Sequence, residues 1–94
     1  MALARVVTFD GVTKERIEEL KREIGEGKPP EGLEPTEIIM LHDPEAERSM
    51  VVILFDDEET YRRGDAVLEA MPAGDTPGKR QSVTKYEVAL RAKP

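Results

Sequence analysis

The sequence has no cysteine, no tryptophan and no asparagine, and it contains a single histidine, His42. The lack of cysteine excludes a disulfide framework, a thiolate metal site and a cysteine nucleophile. No apolar stretch reaches the roughly eighteen residues that a membrane-spanning helix requires. Arg5 interrupts the first apolar run before it is long enough for a signal sequence. We therefore expect a cytoplasmic protein that does not associate with membranes.

The sequence also contains fewer positively charged residues than negatively charged ones. Fourteen Lys and Arg residues stand against twenty Asp and Glu residues, which gives a net charge of −6. This balance repels phosphate backbones and anionic lipids, so we expect no nucleic-acid partner. A chain of 94 residues corresponds to one domain, residues 1–94. A domain this short leaves much of its surface in water and often depends on a partner subunit.

Four segments have the composition and periodicity of β-strands. Three are largely apolar, and the last alternates polar with apolar residues, as a strand with one solvated face does. A turn pair, Asp10 and Gly11, ends the first strand, and the polar residues 43–47 form a hairpin turn. In chain order the predicted strands are residues 3–9, 36–42, 49–55 and 82–91.

A change of period after the first strand predicts a helix over residues 13–24. Ile17, Leu20 and Ile24 form one apolar stripe of this helix, and the rest of the segment is charged. Thr13 suits the N-cap position, and Val12 before it is expected to pack on Ile17 as a hydrophobic staple. Gly and Pro residues after the helix predict a stiff loop up to residue 35.

A second helix is predicted directly after the third strand. Asp56 is expected to cap it, with Glu59 as its capping-box partner. Gly64 in the middle of the helix costs on the order of 1 kcal/mol relative to Ala, so we expect the helix backbone to approach the sheet closely there. Its inward stripe is predicted to consist of Tyr61, Gly64, Leu68 and Met71, with Pro72 ending the helix and a loop extending to Gln81.

The predicted order is β-α-β-β-α-β. With two right-handed crossovers, strands 1 and 3 lie in the centre of a four-stranded antiparallel sheet. We therefore predict an α+β, ferredoxin-like domain with two helices on one face of the sheet.

Strand 3 is apolar on both of its sides, which two helices on one face cannot cover. Val51, Ile53 and Phe55 lie on one side, and Met50 and Leu54 lie with Val52 on the other. Strand 2 likewise has apolar residues on both sides. A contiguous exposed patch of this kind marks an interface or a ligand groove. The simplest closure is a second copy docked sheet to sheet, which predicts a homodimer; the alternative is a monomer with an irregular central strand.

The chain resembles the dimeric α+β barrel superfamily, which includes antibiotic-biosynthesis monooxygenase-like and stress-responsive barrel proteins. The resemblance covers nearly the whole chain and rests on element order, length and residues 51–59, where an apolar strand runs into a helix opened by acidic residues. It implies a homodimer whose two sheets enclose a cavity. It does not determine an activity, because a fold hosts many functions.

Members of that superfamily that oxygenate aromatic substrates or degrade haem commonly use Asn, Trp and His in the cavity. Here Phe55 stands where a Trp often closes strand 3, and Gly64 stands about where a helix-2 His often lies. Phe cannot donate an N–H, and Gly can neither ligate a metal nor transfer a proton. The acidic residues 56–59 are explained by the start of a helix, so no metal site and no cofactor are predicted.

A few polar residues remain as candidates for a site. His42, with Asp43 beside it, is a weak candidate for a catalytic base, and a solvated hairpin residue is the alternative interpretation. Arg5, Tyr86 and Phe55 are weak candidates for ligand binding.

Three functions remain open. The first is a non-catalytic protein that binds a small apolar or aromatic ligand, or a protein partner, in the barrel. The second is a cofactor-independent monooxygenase- or isomerase-type enzyme acting on a small hydrophobic substrate. The third is a structural subunit of a larger assembly.

Overall fold

The computed structural model describes residues 2–26, 31–71 and 77–93 and has the element order β-α-β-β-α-β. Within these residues, no helix is long and apolar enough to cross a membrane. The elements are β1 (Leu3–Asp10), α1 (Lys14–Glu26), β2 (Glu37–Asp43), β3 (Arg48–Phe55), α2 (Glu58–Glu69) and β4 (Lys79–Glu87).

The four strands form one antiparallel sheet in the order β2-β3-β1-β4. The apolar strands β1 and β3 are central, and β2 and β4 form the two edges. Val52 pairs with Val6 on one side and with Ile39 on the other. This arrangement confirms the ferredoxin-like α+β prediction.

Both helices cover the same face of the sheet, which carries the odd-numbered residues of β1. Near α1, a buried cluster joins Val7 and Phe9 of β1 with Val12 and Ile17. Val12 and Ile17 thus pack in one cluster, as expected for a hydrophobic staple. Under α2, a second cluster consists of Leu3, Leu33, Ile53, Phe55 and Tyr61. The core lies between the helices and this face, because the sequence places its largest apolar side chains at these positions.

The helix N-termini agree with the sequence analysis at α1 and correct it at α2. Thr13 Oγ1 accepts a hydrogen bond from the Arg16 backbone N–H (3.1 Å), so Thr13 is the predicted cap. At α2, however, the cap is Asp57 and not Asp56. Asp57 Oδ1 accepts from the Thr60 N–H (2.9 Å), and Thr60 Oγ1 accepts from the Asp57 N–H (3.3 Å).

The capping-box partner is consequently Thr60 and not Glu59, which lies one residue earlier in the helix. The strand ends at Phe55 as predicted, but Asp56 forms a bend between the strand and the helix, so the cap falls one residue later than predicted. Asp57 itself has the extended backbone of a cap, with φ −152° and ψ 175°.

The last strand also differs from the prediction. It begins at Lys79, three residues before the predicted start, and ends at Glu87 instead of residue 91. An irregularity in the β1-β4 register between Thr8 and Phe9 allows Arg80 to pair with Phe9. Alternation over residues 82–91 could not reveal a pairing that depends on a bulge.

Helix α2 ends at Glu69 with Ala70 as its C-cap, so it stops before Met71, the last residue of the predicted inward stripe, and before Pro72. The predicted loops fall partly on residues 27–30 and 72–76, outside the described residues.

Candidate functional site

The face of the sheet opposite the helices, here called the open face, carries no described helix. Because side chains alternate along a strand, the even-numbered residues of β1 and β3 and the odd-numbered residues of β2 point to this face. Its residues form four rows across the sheet, given in the order β2, β3, β1, β4. The charged row is Asp43, Arg48, Asp10 and Lys79; the Met50 row is Leu41, Met50, Thr8 and Ser82; the Val52 row is Ile39, Val52, Val6 and Thr84; and the Leu54 row is Glu37, Leu54, Ala4 and Tyr86.

Large apolar side chains in the two middle rows are exposed to water. Leu41 is 51% exposed, and Ile39 and Met50 are each 38% exposed. Val6 and Val52, which are neighbours in the Val52 row, are each half-buried. The apolar members of the two middle rows therefore form a patch on β2, β3 and β1 that no described residue covers; the β4 members of these rows, Ser82 and Thr84, are polar.

The segment that follows β4 crosses the sheet at its far end. The Val88 N–H donates to the Ala2 carbonyl at the β4 edge (3.0 Å), and the Arg91 guanidinium pairs with the Glu37 carboxylate at the opposite edge. This crossing explains why Ala4 and Leu54 are only 7% and 8% exposed although they point away from the helices. Residues 88–91 thus lie over Ala4 and Leu54 in the centre of the Leu54 row, whereas Tyr86 of the same row stays exposed.

An open groove of about 600 Å³ lies at the other end of the sheet. Its apolar wall includes Leu41 and Met50, and its charged wall includes Asp10, Asp43 and Arg48. The Arg48 Nε lies 3.9 Å from Asp10 Oδ1, a loose ion pair between exposed groups. The groove thus combines an apolar wall with a charged wall, and apolar lining with a few polar groups is the usual composition of a ligand site.

His42 takes part in the structure of the hairpin end. Its Nε2 is 2.9 Å from the Val12 carbonyl oxygen, and since a carbonyl only accepts, Nε2 carries the proton and donates it. The bond ties β2 to the connection between β1 and α1. His42 is paired with Ser49 on the helix face of the sheet, so its imidazole is not directed toward the open face.

Arg5 lies on the helix face and is 4% exposed. Its Nε donates to Asp65 Oδ1 (2.8 Å) and its Nη2 donates to Glu69 Oε1 (2.9 Å), both on α2. The Arg80 guanidinium reaches the same Glu69 oxygen from β4 at 2.8 Å. Arg5 thus connects the central strand to α2 and is not directed toward the open face.

Phe55 is also on the helix face, where it is fully buried. Its ring makes an edge-to-face contact with Tyr61, with centroids 5.5 Å apart. The Lys85 ammonium lies 5.0 Å from the centre of the Tyr61 ring and pairs with Glu58 (2.5 Å). Burial raises the pKa of the Tyr61 hydroxyl, with a further contribution from Asp65, so this phenol stays neutral.

Tyr86, in contrast, is exposed on the open face. The three residues proposed for ligand binding are therefore divided between the two faces, with Arg5 and Phe55 beneath α2 and Tyr86 on the other side. Tyr86 is paired with Ala4, whereas Phe55 is paired with Leu3, and successive residues of β1 point to opposite faces. The sequence analysis did not identify the charged row. Arg48 lies two residues before Met50, and Asp43 lies two residues after Leu41. The alternation of side chains along a strand therefore already placed each charged residue on the same face as its apolar neighbour.

Among the described residues, no group of three His, Asp or Glu side chains is arranged to hold a metal ion. Neither a scan against protein-family models nor a search of curated proteins finds a match to this chain.

Proposed function

We propose that this protein is a non-catalytic binding protein that acts as a homodimer and holds a small apolar or aromatic ligand against the open face of its sheet. The observation that carries the proposal is the exposed apolar patch of the Met50 and Val52 rows. Patches of this kind on small soluble proteins mark binding surfaces.

The groove supports a small ligand. Its volume of about 600 Å³ lies within the range of roughly 300–1,000 Å³ that is usual for small-molecule sites. Leu41 and Met50 offer contact to an apolar or aromatic group, and Met adapts its shape readily to such groups. Arg48 and Thr8 offer polar contacts at the margin of the ligand.

A second copy of the chain would convert the open groove into an enclosed cavity. In one chain the apolar patch faces water, and a symmetric sheet-to-sheet contact would remove both patches from water at once. This is the arrangement implied by the resemblance to dimeric α+β barrel proteins.

An enzyme of the cofactor-independent monooxygenase or isomerase type has less support. His42 uses Nε2 for a backbone contact, Arg5 is held by two carboxylates, and Tyr86 points to the opposite face from Arg5. General acid-base chemistry requires groups that converge on one substrate. These candidate residues do not converge.

The variant Met50→Glu tests the proposal. A carboxylate in the middle of the apolar patch should leave a soluble monomer or an aggregate, and it should abolish saturable binding of the neutral dye Nile red. Light scattering and dye fluorescence measure the two effects. Ala66→Glu, on the exposed side of α2, is the matched control and should change neither. A Met50→Glu protein with the wild-type dimer mass and dye affinity would show that the open face is not the binding surface.

A further inference from the structure

The two edge strands of the sheet differ in how they are protected against pairing with another strand. Strand β4 carries the charged residues Lys79, Arg80, Lys85 and Glu87, and a bulge interrupts its register with β1. Charged side chains, lysine above all, and bulges keep a sheet edge from pairing with a second chain. The edge formed by β4 is therefore protected.

The edge formed by β2 lacks this protection. Residues 38–42 (Ile-Ile-Met-Leu-His) contain no Lys, Arg, Asp, Glu or Pro, and the seven residues of β2 pair with β3 in one continuous register. Among the described strands, β3 is the only one that pairs with β2. Strand β2 is thus a regular, apolar edge whose outward N–H and C=O groups can bind a further strand.

Two β2 strands match each other in one antiparallel register. With Met40 opposite the same residue of a second copy, Ile39 lies opposite Leu41 of that copy. Both side chains point to the open face, where Ile39 is 38% and Leu41 is 51% exposed in one chain. This register covers each of them with the other, and apolar cross-strand pairs of this kind stabilise an antiparallel sheet.

The ends of the two strands also match in this register. Glu37 lies opposite Asp43 of the second copy, and the Arg91 guanidinium already pairs with Glu37. Because a guanidinium has five N–H donors, Arg91 can bind both carboxylates and offset their repulsion. The second oxygen of Asp43 is left for this contact, since the N–H groups of Glu45 and Ala46 donate to Oδ1 (3.2 Å each).

The neighbouring registers do not match. A shift by one residue turns the apolar side chains of the two copies to opposite faces of the joined sheet. A shift by two residues places either Glu37 opposite Leu41 or Asp43 opposite Ile39. A charge held against an apolar side chain loses hydration without gaining a partner. The side chains of β2 therefore favour the register that is centred on Met40.

We propose that two copies of this chain pair through their β2 edges, antiparallel and centred on Met40, so that two four-stranded sheets join into one sheet of eight strands. The twofold axis is perpendicular to the sheet, so the contact closes with two copies. This pairing goes beyond the proposed function and does not depend on it, because it uses an edge and leaves the open face free. Since it involves one strand of each copy, it forms at higher protein concentration than a contact through the open face.

Met40 and Val83 provide a matched pair for disulfide trapping. Each is the middle residue of an edge strand, and together with Val51 and Val7 they form one row on the helix face. Docking through the open face therefore brings neither residue against its own copy. Val83 is the more exposed of the two, so random collisions favour its crosslinking. The chain has no cysteine of its own to add a background.

The first experiment compares Met40→Cys with Val83→Cys after mild oxidation at the same protein concentration. Met40→Cys should give at least tenfold more covalent dimer, measured by mass spectrometry without reducing agent. Residues directly opposite in an antiparallel pair have Cα atoms about 4.5–5.5 Å apart, which is within the range of a disulfide. Equal yields from the two variants, or a higher yield from Val83→Cys, overturn the proposal.

The second experiment measures hydrogen exchange in the wild-type chain, so it does not depend on the folding of a variant. When the edges pair, the outward N–H groups of β2 gain backbone acceptors. About half of the amides of residues 37–43 should therefore exchange at least tenfold more slowly in millimolar than in dilute protein. Residues 79–87 of β4 are the control and should show no such change.

The outcomes separate edge pairing from the proposed function. Protection of β2 that does not depend on protein concentration overturns the proposal, because the occupant of the edge is then not a second copy. A chain that forms a dimer in dilute solution but shows neither the Met40→Cys disulfide nor the protection of β2 overturns edge pairing and leaves the proposed function intact.

Discussion

Gly64 of α2 lies directly over the ring of Phe55. A Cβ atom added at Gly64 would stand 2.6 Å from both Cε1 and Cζ of Phe55 and 3.0 Å from Cδ1 of Leu33. Real side chains do not approach so closely, so only a hydrogen atom fits. The helix therefore crosses the sheet with its backbone against the fully buried ring, as the mid-helix glycine predicted.

Gly64→Ala should destabilise the protein although alanine is the better helix former. Helix propensity favours Ala by about 1 kcal/mol, but overpacking of a filled core typically costs about 1–3 kcal/mol. Phe55 is fully buried and has little room to move, so we expect a net loss of about 1 kcal/mol in the free energy of unfolding, measured with urea. Combining it with Phe55→Leu, a smaller side chain, should relieve the clash. A single Gly64→Ala variant more stable than wild type would contradict this account.

The cap of α2 gives a prediction that separates two adjacent aspartates. Asp57→Ala removes the acceptor of the Thr60 N–H and should lower the thermal midpoint by a few degrees, because an orphan helix donor loses its partner. Asp56→Ala, one residue earlier, is the matched control and should have little effect. Equal effects of both substitutions in a thermal melt would indicate that the helix start is governed by charge and not by the cap.

The same cap predicts a pH dependence. The hydrogen bond from the Thr60 backbone N–H, together with that from its hydroxyl, lowers the pKa of the Asp57 carboxyl below its ordinary value of 3.8. A lowered pKa stabilises the fold above the ordinary value, and this contribution disappears as the pH falls through the folded-state pKa. The difference in thermal midpoint between wild type and Asp57→Ala should therefore shrink below pH 3.8. A constant difference down to pH 2 would argue against a contribution from the ionised carboxylate.

Substitution of Arg5 and substitution of its two carboxylate partners, Asp65 and Glu69, should have unequal effects on stability. Asp65→Ala/Glu69→Ala leaves a guanidinium that is 4% exposed without its carboxylate partners, which should cost about 3 kcal/mol of unfolding free energy. Arg5→Met should cost less, because Asp65 and Glu69 are partly exposed and remain hydrated. Arg5→Met added to the double variant should then restore stability. If this addition lowers the urea midpoint further, the buried charge is not the source of the loss.

The fold was predictable because its signals are local. Periodicity indicated both helices and all four strands, and Thr13 was identified as a cap from the residue type alone. Met50, Val52 and Leu54 occupy alternate positions along β3, so the sequence already indicated a second apolar face on this strand. The cap of α2 was misplaced by one residue, because two adjacent aspartates satisfy the same pattern and only the path of the chain out of β3 selects Asp57.

The candidate site was less predictable, because its members come from four strands. Arg5 was expected to interact with a ligand, but the tertiary structure turns it toward Asp65 and Glu69 on a helix sixty residues away in sequence. Tyr86 and Phe55 were grouped together, and the strand pairing places them on opposite faces. Asp43 and Lys79 had no apparent relation before the sheet placed them at the two ends of one row.

The sequence by itself determined the order of the elements and the presence of more apolar surface than two helices can cover, because these follow from composition and short-range periodicity. Only the tertiary structure decided which polar side chains share a surface, because strand order, register and the bulge in β4 depend on contacts between distant segments. The alternating charges at one end of the open face are a product of that register.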